Sequence, residues 1–310
     1  MKVGLFIPCY VDQFYPQVGI ATLQLLEKYG CEVIYPSGQT CCGQPMANSG
    51  FEHLTKGSNE LFIKNFQEFD YIVCPSGSCV LHIKEHLHTE ASSAHGGHVD
   101  HTIAQHTAPA DQSAGQQQLA TGSSAAASAG RQQLATGSSA AASTGLQQLA
   151  TGSPAATSDP AVNIRKKIYE LVEFLTDILK IENIDAKFHH KVGVHQSCHG
   201  QRGLKLSQMS ELVAAPFSKP EHLLKMVQGI ELVELDRKDE CCGFGGTFCV
   251  AEEAVSVKMG KDRVADHLHH GAEYITSADM SCLMHLDGIL KRQKSKTRVK
   301  HIAEILNGQG

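Results

Sequence analysis

The sequence contains no tryptophan, and aromatic residues make up only 6% of its 310 positions. No apolar run approaches the ~18 residues that a membrane-spanning helix needs. The apolar opening from Lys2 to Pro8 is too short for a secretion signal, and Asp12 soon interrupts it. A cytoplasmic, reducing setting is therefore expected. Neither sign of charge dominates. The 27 basic and 32 acidic side chains give a net charge of -5, which argues against non-specific binding to nucleic acid or anionic membranes. Four motifs are absent: the G-x-G-x-x-G dinucleotide fingerprint, the P-loop, the nucleophile elbow and the C-x2-C-x2-C-x3-C ferredoxin run. No flavin site is visible. The chain is not expected to oxidise a substrate unaided.

What is abundant is cysteine, eleven in all. Without an export signal a disulfide framework is not expected, and metal or redox use becomes the leading idea. None of the eleven falls in residues 91–160. That stretch is rich in Ala, Ser, Gly, Thr and Gln, and a unit beginning Gln-Gln-Leu-Ala-Thr-Gly-Ser recurs in it with Leu119, Leu134 and Leu149 in register. So few large apolar side chains do not offset the entropy of ordering, and the segment reads as a disordered low-complexity linker. His95, His98, His101 and His106 near its start read as solvated. The parse is then a first module over 1–90, the linker over 91–160 and a second module over 161–310.

The two modules repeat each other. Lys2-Val-Gly-Leu-Phe-Ile-Pro-Cys9 parallels Lys191-Val-Gly-Val-His-Gln-Ser-Cys198. Glu32-Val-Ile-Tyr, leading to Cys41-Cys42-Gly43, parallels Glu231-Leu-Val-Glu-Leu, leading to Cys241-Cys242-Gly243. Tyr71 to Cys79 parallels Tyr274 to Cys282 at the same offset, and His82 matches His285. Short β-rich runs alternate with helices expected over 18–28, 60–69, 80–88, 164–181, 252–269 and 283–292. The class is α/β: two related modules, each a mainly parallel sheet with flanking helices, packed face to face.

This alternation puts Cys9, Cys41, Cys42 and Cys79 at the C-terminal ends of strands in one module. It puts Cys198, Cys241, Cys242 and Cys282 there in the other. That edge is where open α/β sheets bind ligands. Four thiolates suit an iron–sulfur cluster or a structural zinc. Ser78 and Ser281 read as helix N-caps, placing Cys79 and Cys282 in a first turn where the helix dipole favours a thiolate. Cys74 is a candidate fifth ligand. Cys31 and Cys249 read as packing residues. His82, His285, His195 and His199 lie near these cysteines and read as supporting residues before ligands.

The doubled Cys…Cys-Cys-Gly…Cys pattern resembles the cysteine-rich CCG domain found in heterodisulfide reductases, glycolate oxidase iron–sulfur proteins and lactate utilization protein A. The resemblance is strongest to the lactate utilization protein A family. It is carried by Gln39-Thr-Cys-Cys-Gly-Gln-Pro45, Cys74-Pro-Ser-Gly-Ser-Cys79, His195-Gln-Ser-Cys-His199, Cys241-Cys-Gly-Phe-Gly-Gly-Thr-Phe248, Ser281-Cys-Leu-Met-His285 and His301-Ile-Ala-Glu-Ile-Leu306. It implies an iron–sulfur electron-transfer subunit of a complex that oxidises L-lactate to pyruvate. Two further lactate utilization proteins, one ferredoxin-like, would be its partners. The family's full pattern places five cysteines per module, ending in C-x2-C. Here Cys74 and Cys79 are spaced C-x4-C, and Ser277 stands opposite Cys74. One or two ordinary [4Fe–4S] clusters, or zinc in one module, therefore compete with the family's noncubane cluster. Three other readings stay open. The resemblance allows a thiol/disulfide catalyst or a component of a glycolate or other 2-hydroxy-acid oxidase. The donor chemistry allows a zinc-stabilised scaffold.

Overall fold

The computed structural model describes residues 1–89 and 159–308. Nearly all of the segment read as a linker lies outside the described residues. The first sheet has four strands, β1 (Lys2–Leu5), β2 (Glu32–Ile34), β3 (Tyr71–Cys74) and β4 (Ile168–Glu170), in the order β2-β1-β3-β4. The second has β5 (Lys191–Val194), β6 (Glu231–Leu232), β7 (Tyr274–Ser277) and β8 (Arg298–His301), in the order β6-β5-β7-β8. Every pairing in both sheets is parallel. The central strands β1 and β5 bury three successive residues after an exposed lysine. Strands covered on both faces need such continuous apolar runs.

Parallel neighbours need crossover connections, and helices supply them. In the first half these are α1 (Cys9–Phe14), α2 (Pro16–Lys28), α3 (Gln44–Asn48), α4 (Lys56–Phe66) and α5 (Gly77–His86). Then come α6 (Pro160–Lys167), α7 (Leu171–Glu173), α8 (Lys219–Leu224), α9 (Phe248–Ala251), α10 (Glu253–His269), α11 (Met280–Arg292) and α12 (Ile302–Leu306). Among the described residues no helix is long and apolar enough to cross a membrane.

The helix expected over 164–181 is not continuous. It stops at Lys167, runs extended through β4, and resumes as α7 followed by one wide turn, Phe174–Ile178. Ile168 pairs with Ile72 and Glu170 with Cys74, and both newcomers are fully buried. The open edge of β3 needs a partner, and that pairing outweighs helical propensity in this short stretch. The second sheet does the same with β8, where His301 pairs with Ser277. Glu170 and His301 then each cap the next helix in a capping box, with Glu173 and Glu304 as the reciprocal partners. The segment grouped by sequence with the second module therefore completes the first sheet. Residues 90–158 fall inside the first module, between α5 and α6, rather than between the modules. The neck is closed, since the Thr89 hydroxyl donates to the Asp159 carboxylate at 3.1 Å.

The two sheets carry different cores at one matched place. Phe6 bonds through its backbone N–H to Val73, and its ring packs edge-on to Phe62 and Phe66 at 4.9 and 5.7 Å. His195 makes the matching backbone bond to Thr276. Its surroundings are polar, with Arg263 and His267 from α10 fully buried beside it. Gly193 lets His267 approach, because a Cβ there would lie 2.1 Å from Nδ1 of that ring.

Candidate functional site

All eight repeated cysteines follow strands, at the edge where the crossovers begin. α5 and α11 are capped by Ser76 and Asp279, not by Ser78 and Ser281, which sit inside the first turn. The reason is geometric. Ser76 and Asp279 have extended backbones that aim their side-chain oxygens at the free N–H groups. Cys79 and Cys282 are then the third residues of their helices. Ser76 Oγ accepts from the Cys79 N–H.

In the first module the thiols form a string. The thiols are free, hydrogen bonding links Cys9 to Cys41 and Cys41 to Cys42, and Cys42 lies 3.6 Å from Cys79. The second module repeats it as Cys198, Cys241, Cys242 and Cys282. Within each string the pKa of one thiol is pushed down by its neighbours. Hydrogen bonds from Cys42 and Cys9, helped by the Gly43 N–H at 3.4 Å, push Cys41 well below the usual thiol range. Hydrogen bonds from Cys198 and Cys242 do the same for Cys241, with the Gly243 N–H at 3.3 Å. Their hydrogen-bonding neighbours Cys9, Cys42, Cys198 and Cys242 are pushed up. Gly43 and Gly243 have φ of 90° and 85°. A Cβ at Gly243 would meet the Ser256 carbonyl at 2.7 Å, so the turn that presents this N–H requires glycine.

The remaining cysteines divide. Cys74 is fully buried, with its thiol 3.9 Å from the Ser76 carbonyl. Burial raises its pKa, and the neighbouring Cys79 adds to the effect. Cys31 packs in the hydrophobic core, and Cys249 donates to the Gly246 carbonyl at 3.0 Å. His82 is buried, lies near Cys41 and stacks on His86; burial lowers its pKa to about 4. His285 faces the Ser256 carbonyl at 3.4 Å and lies near Cys241. His199 belongs to the second module yet is felt by His82 of the first. Among the described residues, one of the compact three-donor groups able to hold a metal ion is His195, Cys242 and Cys282, mutually within 4.8 Å.

Between the two thiol strings lies a hub that the sequence did not reveal. Asp279 is fully buried and accepts from the Ser78 N–H at 2.8 Å, across the module boundary. It also accepts from the Ser281 N–H and hydroxyl and from the Tyr10 hydroxyl. Tyr10 follows Cys9 and also reaches Ser76. Ser76 and Asp279, the two matched caps, pair in an antiparallel bridge. One carboxylate thus joins the residue before Cys79 to the residue before Cys282. No motif marks it, because two of its partners, the Ser78 N–H and the Tyr10 hydroxyl, are distant in sequence. A wide cleft of about 1310 Å³, lined by Gln196, Ser218, Lys225 and Asp239 among others, holds none of these thiols.

The doubled sheets and doubled thiol strings define a two-module cysteine-rich domain protein. The cysteine-rich domain CCG matches this chain twice, over residues 3–84 and 192–287. Lactate utilization protein A of Bacillus subtilis (strain 168) is 33% identical over 309 residues, covering 100% of both chains. That of Geobacillus sp. (strain WCH70) is 34% identical over the same span and coverage. That of Macrococcus caseolyticus (strain JCSC5402) is 35% identical, covering 100% of this chain and 97% of its own. The chain belongs to the lactate utilization protein A family.

Proposed function

We propose that this chain is the iron–sulfur electron-transfer component of a system that oxidises L-lactate to pyruvate, working with two partner proteins, one of them ferredoxin-like. The observation that carries the reading is that each module gathers four thiols at the same sheet edge, at matched positions. Four thiolates are the donor set of an iron–sulfur cluster, and the cysteine-rich domain matched in both modules supports it.

The donor chemistry also fits. Hydrogen bonds push the Cys41 and Cys241 pKa values down, toward thiolate, which is the ligating form. Cys79 and Cys282 stand in first helical turns, where free N–H groups offset negative charge. Cys9, Cys41, Cys42 and Cys79 would hold one cluster and Cys198, Cys241, Cys242 and Cys282 the other, with Cys74 beside the first. A bound cluster supplies one-electron steps. The chain's own part is to fix the sulfurs, exclude water from Cys42, Cys79 and Cys242, and join the two sites through Asp279.

Lactate enters through the family, and the relatives' shared name is what supports it. The test mixes the anaerobically purified chain with its two partners and L-lactate. Lactate-dependent bleaching of a visible absorption band is expected, with glycolate giving much less. No bleaching with any 2-hydroxy acid, in a chain that carries iron, would remove the lactate reading.

A further inference from the structure

The two modules differ most where they should match. The first places Phe6 in an aromatic cluster. The second places His195 there, 1% exposed, with neither ring nitrogen hydrogen-bonded. A buried polar group without a partner is costly, so native proteins rarely leave one. The imidazole lies in the compact group with the Cys242 and Cys282 sulfurs. A metal atom bound by one nitrogen and two sulfurs needs donors at about this spacing. The second module is also the one that lacks a fifth thiol, since Ser277 replaces the counterpart of Cys74. The Ser277 hydroxyl is occupied, accepting from the Asp279 N–H at 3.2 Å.

We infer that His195 is a nitrogen ligand of the second-module metal centre, on the same metal atom as Cys242 or Cys282. The inference rests on the iron–sulfur reading above. It makes the two centres unequal. The first is bound by sulfur alone. The second carries a neutral imidazole, with the buried Arg263 guanidinium near Cys242 and its Nη2 unpartnered. Added positive charge beside the sulfurs stabilises the reduced state. The second centre therefore has the higher reduction potential of the two.

The test uses the full chain, purified anaerobically, grown with natural or ¹⁵N-labelled histidine and reduced stepwise. Pulsed electron paramagnetic resonance of the wild type should show a strongly coupled histidine nitrogen in the higher-potential signal only. In His195→Cys, iron should stay near the wild-type amount, the nitrogen coupling should vanish, and the potential of that signal should fall. His195→Phe, which copies the first module, should lose the coupling and part of the iron. A chain with iron and sulfide but no strongly coupled nitrogen, or with coupling that survives in His195→Cys, overturns this inference alone. A chain with no iron contradicts the iron–sulfur reading and the inference with it.

Discussion

Arg263 is fully buried, and its charge is answered by Asp266 at 3.1 Å, the His267 ring at 3.2 Å and the Arg237 carbonyl. Asp266 in turn accepts from the Asp236 and Arg237 N–H groups. Removing one partner of such a buried pair strands the other. Arg263→Met should lower stability by about 3–5 kcal/mol, read by urea unfolding. His267 and His301 answer a different question. Burial holds their folded pKa values at about 2 and about 4, below the unfolded value of 6.5. The unfolded chain then binds more protons than the folded one below about pH 6.5. Stability should be full above that pH and should fall as pH drops from 6.5 toward 4, by up to about 1.4 kcal/mol per pH unit for each ring. Unfolding free energy flat between pH 7 and 5 would refute this. The eight repeated cysteines are legible in the sequence because each copy vouches for the other. His195 and Arg263 are harder to read, because their significance lies in a mismatch between copies. The contrast of Phe6 with His195 is visible in the aligned repeats, but its consequence depends on the buried polar neighbours.

At the scale of elements, the caps and glycine turns decide whether the sulfurs face one place. Asp279 satisfies four donors, two of them backbone groups from different modules. Asp279→Ala leaves them buried without acceptors and should cost about 2–5 kcal/mol, while Asp279→Asn should recover part of it. Both are read by urea unfolding. Gly243→Ala would impose a side chain at a φ of 85° against the Ser256 carbonyl. It should therefore reduce metal in the second module while sparing the first, read as iron per chain. Serine signals misplace the caps by two residues. Ser78 and Ser281 satisfy the composition of a cap, but only the backbone decides which oxygen faces the free N–H groups. The strand β4 is hidden for a related reason. Ile168-Tyr-Glu170 stands next to helix-forming residues, and only its likeness to Val299-Lys-His301 betrays it.

For the whole molecule, two parallel sheets are foreseeable from the alternation of short apolar runs with helices. The position of the long insert is not. Its composition separates it from the fold, but the sheet pairing places it inside the first module. The matched connection in the second module, from α11 to β8, needs only residues 293–297. Deleting residues 92–158 should therefore leave metal content and partner-dependent reduction nearly unchanged, because Thr89 and Asp159 already meet. Loss of metal on that deletion would contradict the assignment. On the proposed function, each of the two thiol sets holds an iron–sulfur centre. The most direct measurement is iron, acid-labile sulfide and zinc in the full chain purified without oxygen. It should give about four irons and matching sulfide per module, with Cys41→Ser and Cys241→Ser each removing about half. Zinc without iron or visible absorption would contradict it.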